Sequence, residues 1–314
     1  MKNTIALLAL SLLSLNSMAG IDGVYGDDNR QDLYQSKSSL HKKLARSTAA
    51  MIHGGHFTKS DKENVFKIQL GKTLEVGQNI CPSERFSQQV AVAGCSGFLV
   101  SPNTLVTAGH CFAMGGNPQA ECDNKVWVFD YGIDSAGKDP TKNIPITNIY
   151  LCKQVVKVAY NAFQDYAIIK LDRPVFGREP LRFRKTGKVS SGSDLVTIGH
   201  PSGLPTKITN AGKVTDNSAS DRFSTNLDTF HGNSGSAVFH SQSGLVEGIL
   251  IQGKPDYVLS NKLNSNSCKV VNTCDNNAAN CKTDYSDPQN PTKKGEVVYR
   301  ITNIVKDIET AIKL

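Results

Sequence analysis

Residues 95–111 read CSGFLVSPNTLVTAGHC. An apolar run, Gly97-Phe98-Leu99-Val100, meets a turn at Pro102-Asn103 and is answered by Leu105-Val106-Thr107, after which the chain reaches Gly109-His110-Cys111. Two short β-rich runs joined by a Pro-Asn turn predict an antiparallel hairpin. Cys95 and Cys111 stand 16 positions apart, so a disulfide between them would close that hairpin and hold His110 at its end. The pattern repeats outward from here. Val126 to Phe129, Tyr166 to Leu171, Leu195 to Ile198 and Leu245 to Ile251 are short, rich in β-branched or aromatic residues, and bounded by Gly, Pro, Asn, Asp or Ser. Many short strands with turn signals predict an all-β sandwich or barrels. Only the stretch from Asn303 to Leu314 reads as helix, with Ile304, Ile308, Ala311 and Ile312 on one face.

A second stretch, TFHGNSGSAVF (229–239), sets Ser234 between glycines ahead of an apolar run. A serine hydroxyl is a poor nucleophile at neutral pH and needs a base within hydrogen-bond reach, with a third group to orient the base. His110 supplies a base already placed by a hairpin. Asp165, in FQDYAIIKLDRP, is a carboxylate at the mouth of an apolar strand and completes a candidate set of three. Singly, each motif has an ordinary reading: a polar turn, a buried histidine beside a disulfide, a turn aspartate. Together, and in the order His, Asp, Ser, they point to nucleophilic catalysis.

The segments CSGFLVSPNTLVTAGHC, QDYAIIKL, GHPSG and GNSGSAVF together resemble the trypsin-like serine peptidases, and more closely the bacterial branch that includes the glutamyl endopeptidases. VYGDDNR (24–30) resembles the start of mature enzymes in that branch, and VVYRITNIVKDIETAI (297–312) resembles the family's last strand and closing helix. The resemblance implies two packed six-stranded antiparallel β-barrels with the active site in the cleft between them. It implies Ser234 as nucleophile, His110 as base and acid, Asp165 as the group that orients the histidine, and the backbone N–H groups of Gly232 and Ser234 as the oxyanion hole. Gly235 would let the chain turn tightly behind the nucleophile. Asn233 stands where activatable zymogens of the family hold an aspartate, so maturation by insertion of an N-terminal ammonium is not expected. Aligned on the serine, Asp228 takes the place of the acidic floor of a trypsin-like pocket, beside Thr229. Gly253 leaves the mouth of that pocket open, and Leu250 replaces the histidine of glutamyl-specific relatives. Cleavage after Arg or Lys is the specificity this favours, although the second pocket wall, near Val297, lacks the glycine of trypsin; the alternative is that Asp228 is a structural carboxylate bonded to loop amides.

Composition bounds the remaining readings. The chain has 314 residues, 39% hydrophobic and 20% charged, which suits one enzyme-sized unit of two subdomains. Residues 1–19 read as a signal peptide: Lys2, then an apolar run from Ile5 to Leu15, then a small-x-small site ending at Ala19. Its removal subtracts one lysine and takes the formal charge from +7 to +6. Basic residues are spread without long blocks, so neither nucleic acid nor lipid is an expected partner; protein or peptide substrates and a monomer are. Eight cysteines in an exported chain, secreted or periplasmic, predict disulfides. Cys122 and Cys152 flank neighbouring strands and are expected to pair, whereas Cys81, Cys268, Cys274 and Cys281 leave three connectivities open. Paired CxxC knuckles are absent, so no metal or cofactor is expected. The expected order is an arm or propeptide over 20–60, a first barrel over 61–185 and a second over 186–314. The segment RKTGKVSSGSD (184–194) joins the barrels, and a polar loop spans 254–295. The contrasting reading is a catalytically silent homologue that binds through the same cleft; an esterase would use the same machinery.

Overall fold

The structure is a computed structural model and describes residues 23–113, 115–253, 255–276, 280–282 and 295–314. The signal segment 1–19 lies outside the described residues. Six strands form the first barrel: β1 (Thr48–His53), β2 (Cys95–Ser101), β3 (Thr104–Thr107), β4 (Lys125–Phe129), β5 (Ile149–Tyr160) and β6 (Asp165–Leu171). Their order around the barrel is β4-β5-β6-β3-β2-β1, closed by antiparallel pairing of β1 with β4. Closure requires bending, and the long strand β5 bends at two register shifts, between Cys152 and Gln154 and between Val155 and Lys157. The second barrel comprises β7 (Asp194–Gly199), β8 (Lys207–Asp216), β9 (Arg222–Thr225), β10 (Ala237–His240), β11 (Val246–Gln252) and β12 (Glu296–Arg300). It runs β7-β10-β11-β12-β9-β8 and closes through β7 on β8.

The two barrels share one core. Phe98, Trp127, Ile168, Ile198, Phe239 and Tyr299 belong to a single buried cluster that also takes in the C-terminal helix. Trp127 stacks on Phe112 inside the first barrel. Tyr166 of β6 stacks on Tyr299 of β12, and its hydroxyl donates to Asp307 Oδ2 at 2.5 Å. The last segment differs slightly from the sequence reading: a 3-10 turn over Ile301–Ile304 precedes the α-helix Val305–Lys313. Ile304, Ile308 and Ala311 are buried but Ile312 is exposed, because the helix begins later and rotates that side chain off the seam. Burying the two isoleucines contributes about 1.5–3 kcal/mol each. That is enough to hold a nine-residue helix that would be marginal alone.

Between residues 23 and 60, segments join both barrels. Thr48–His53 is a barrel strand, since its run TAAMIH is apolar enough to be buried between β2 and β4. Arg30–Asp32 extends the second barrel's sheet by pairing with Lys207, Ile208 and Thr209. Lys207 is buried at that junction, donating to Asp32 Oδ1 at 2.6 Å and Gln89 Oε1 at 2.7 Å. Burial pushes its ammonium down to about 8. The polar segment after residue 253 is likewise built upon: Tyr257–Leu259 pairs with Lys269–Val271, and Thr273–Cys274 pairs in parallel with Val24–Tyr25.

Four disulfides tie these pieces: Cys95 to Cys111, Cys122 to Cys152, Cys81 to Cys268, and Cys274 to Cys281. Replacing both Cys122 and Cys152 with serine removes a cross-link spanning 30 positions within the first barrel. Loop-closure entropy sets the expected loss at about 3–4 kcal/mol, measured by urea unfolding against the parent chain.

Candidate active site

The barrel register carries His110 to Asp165. Thr107 of β3 stands opposite Ala167 of β6, so two further antiparallel steps set residue 109 against Asp165 and leave His110 just beyond. The backbone N–H of His110 donates to Asp165 Oδ1 at 3.0 Å, and the ring Nδ1 lies 2.8 Å from Oδ2. An ionised carboxylate only accepts, so this contact fixes the ring proton on Nδ1 and leaves the Nε2 lone pair for a substrate-side proton. Asp165 is buried, and Tyr160 lies against the imidazole with ring centroids 5.9 Å apart. Cys95, His110 and Cys111 would cluster as metal ligands, but both sulfurs are spent on their disulfide.

Ser234 sits in the loop between β9 and β10, which is a chain of turns. Asn233 N–H donates to Phe230 O at 2.9 Å and Ser236 N–H to Asn233 O at 2.8 Å. Gly232 and Gly235 both have positive φ, +89° and +86°, and a Cβ at Gly235 would lie 2.1 Å from Thr107 Oγ1. Only glycine allows the loop to approach the first barrel this closely. Ser96 of β2 grips the loop from the other side: its N–H donates to Ser234 O at 2.8 Å and its hydroxyl to Gly232 O at 2.8 Å. The carbonyls of Gly232 and Ser234 are thus turned inward. Among the described residues neither of their N–H groups has an acceptor, so both remain available at the cleft. The carbonyl of Ser234 also lies 3.9 Å from Cys111 Sγ, one residue from the histidine. His200 supports the site from behind, its N–H on Ser96 Oγ at 3.0 Å; burial pushes its imidazole down to about 3 and keeps it neutral.

Asp228, expected at the pocket floor, is 1% exposed. Its Oδ1 accepts from Tyr25 N–H at 2.8 Å and its Oδ2 from Asn29 N–H at 2.7 Å, both from the chain's first described turn. Burial pushes its carboxyl up to about 7 even against those two amides. Thr229 donates through its hydroxyl to Glu296, which Tyr25 also meets with its phenol. Glu296 is fully buried at the head of β12. Across from β12, Gln252 of β11 pairs with Val297, and Gly253 follows it, part-buried. Sequence reasoning passed over Glu296, Arg30 and Phe230. The available signal was an acid opening the strand EVVYR directly ahead of two valines.

A family model for the trypsin-like peptidase domain matches residues 95–249. A curated relative, transmembrane protease serine 11C of Mus musculus, is 28% identical over 153 residues, which is 48% of this chain and 30% of that protein. The chain therefore spans under a third of that relative's length. Among solved structures, a Glu endopeptidase in complex with MPD is similar over 93% of this chain and 100% of its own, at 15% identity and a TM-score of 0.52. An inactivated scabies mite protease paralogue is similar over 88% and 98%, at 16% identity and a TM-score of 0.47. The chain thus carries a segment that matches the trypsin-like peptidase domain over residues 95–249, and its architecture is the chymotrypsin-like fold of two six-stranded barrels. Its four disulfides suit an oxidising, extracytoplasmic setting. No helix among the described residues is long and apolar enough to cross a membrane.

The state of Asp228 is open to measurement. Between about pH 4 and about pH 7 the folded chain holds a proton there that the unfolded chain releases, so this group's contribution to stability falls as pH rises through that window. In Asp228→Asn that slope disappears. The stability of the parent relative to the variant is expected to decline from about pH 4 to about pH 7 and to level off above it, read by urea unfolding at stepped pH.

Proposed function

We propose that the chain is an exported, monomeric serine endopeptidase that hydrolyses peptide bonds in protein substrates through an acyl-enzyme, with a preference for Arg or Lys before the scissile bond. The observation that carries this is the pairing of an Asp-oriented histidine with a serine loop whose two forward N–H groups are unspent. Ser234 Oγ attacks the carbonyl carbon while His110 Nε2 takes its proton. The developing oxyanion meets the N–H groups of Gly232 and Ser234, a contribution of about 3–4 kcal/mol per donor. The imidazolium, stabilised by Asp165, returns the proton to the leaving amine. Water then enters by the same route and releases the acid, regenerating the serine.

Asn233 supports activation without N-terminal charge insertion. It is buried, a neutral amide, and its Oδ1 faces the Ser236 hydroxyl at 3.5 Å. For the Arg or Lys preference the support is charge: Asp228, ionised above about pH 7, and Glu296 are two buried carboxylates, one preceding Thr229 and the other accepting its hydroxyl. A substrate cation is the group such a pair favours.

With the chain lacking residues 1–19, a peptide library varied at the residue before the cut is expected to show turnover confined to Arg and Lys. Ser234→Ala abolishes it, and Asp165→Asn lowers kcat by about 10⁴ through the wrong tautomer. Asp228→Asn and Glu296→Gln each reduce the preference for Arg and Lys by about tenfold or more. Turnover after other residues removes the pocket reading and keeps the triad. No turnover at all points to an uncleaved precursor or to a silent binding protein.

A further inference from the structure

We propose that Arg30 is a positioning residue for the nucleophile loop, acting through the ring of Phe230; this rests on the peptidase reading above. The Arg30 guanidinium lies 3.9 Å from the centroid of Phe230 and 5.2 Å from that of Phe86. Phe230 is fully buried and precedes Gly232 by two positions, and its carbonyl accepts the N–H of Asn233 in the turn that presents the oxyanion donors. The ring therefore sets where that turn begins. Arg30 itself is fixed, at 1% exposure, by a two-pronged pair with Asp28: Nε to Oδ1 at 2.9 Å and an Nη to Oδ2 at 2.7 Å. Arg85 locks the same turn by donating to the carbonyls of Asp28 and Arg30 at 2.6 and 2.7 Å.

The rest of the segment converges on the same short stretch, Asp228 to Phe230. The amides of Tyr25 and Asn29 hold Asp228, and Val24 packs on Phe230. Residues 24–30 thus hold the loop at its carboxylate and its ring, and Arg30 is the member that reaches the ring face. A planar guanidinium can pair with a carboxylate along its edge and stack on an aromatic face at once, which lysine cannot. Loss of the stack frees Phe230 to shift and carries Gly232 and Ser234 away from the oxyanion position. Such displacement, on the scale of an ångström, costs about 100-fold in rate where geometry governs the step.

The test compares the parent chain with Arg30→Met, which leaves Asp28 its contact with Arg85, and Arg30→Lys. Three readouts are taken: kcat and KM on a peptide substrate, inhibition by a peptide boronic acid that mimics the tetrahedral adduct, and amide hydrogen exchange of residues 228–236. Arg30→Met is expected to lower kcat by about 10- to 100-fold with KM changed less than about threefold, to weaken the boronic acid to a similar degree, and to speed exchange of the loop. Arg30→Lys rescues only in part. Phe230→Leu, which keeps bulk and removes the ring face, gives the same pattern if Arg30→Met does not fold. Unchanged kcat and unchanged exchange in a folded Arg30→Met overturn the role of Arg30 while the peptidase reading stands. An inactive parent overturns the peptidase reading, and the exchange rate of 228–236 then decides the role of Arg30 alone.

Discussion

Ser96 is the residue through which the two halves of the site are held in register. It lies on β2, the strand that opens the hairpin leading to His110, yet its N–H and hydroxyl take the carbonyls of Ser234 and Gly232 from the other barrel. Its own carbonyl accepts the Thr107 hydroxyl, at the end of the strand that delivers the histidine, at 2.6 Å. Two groups of this one residue thus span the cleft, and the third ties it to the neighbouring strand of its own barrel. All of them are buried, where an unmade hydrogen bond is expensive, so the constraint is strong. A β-barrel supplies that precision because register is quantised: slipping β2 by one residue would turn Ser96 away from the loop altogether.

Around this link the structure spends buried charge sparingly and always with partners. Asp165 faces a ring nitrogen and an amide, Asp228 two amides, and Lys207 a carboxylate and two carbonyl-type acceptors. Each is an element end or a junction, and none interrupts the apolar seam running from Trp127 to Ile308. The disulfide Cys81–Cys268 adds a covalent tie between the segment joining β1 to β2 and the hairpin of Tyr257–Leu259 with Lys269–Val271. The electrostatics of the site are therefore local, set by a few amides rather than by the modest net charge of the chain.

Much of this was legible in the residues themselves. The CSGFLVSPNTLVTAGHC hairpin, the strand behind Asp165 and the glycine-flanked Ser234 are local patterns whose meaning depends on neighbours in sequence. Even so, the contacts that shape the pocket were not visible, because they join residues some 200 positions or more apart, such as Tyr25 with Asp228 and with Glu296. Nothing in a window around VYGDDNR states that its amides will meet a carboxylate, since any polar turn exposes amides. Strand Thr48–His53 was hidden for a related reason: TAAMIH is apolar but alanine-rich and carries little β propensity, so its pairing with β2 and β4 is what marks it as a strand. Ile312 escaped prediction by a quarter turn, the offset introduced by the preceding 3-10 segment.

The long reach of the first described strand also bears on when the site can exist. Val24 and Tyr25 pair with Thr273 and Cys274, and the Tyr25 phenol meets Glu296, so these residues complete their contacts only with partners some 250 positions or more away. Contacts of such separation close late because loop entropy must be met first. The hairpin carrying His110 forms from local contacts while the loop around Ser234 still lacks its lower support. The cleft therefore depends on contacts that reach across most of the chain, whereas the hairpin that bears the histidine closes over a separation of 16 positions.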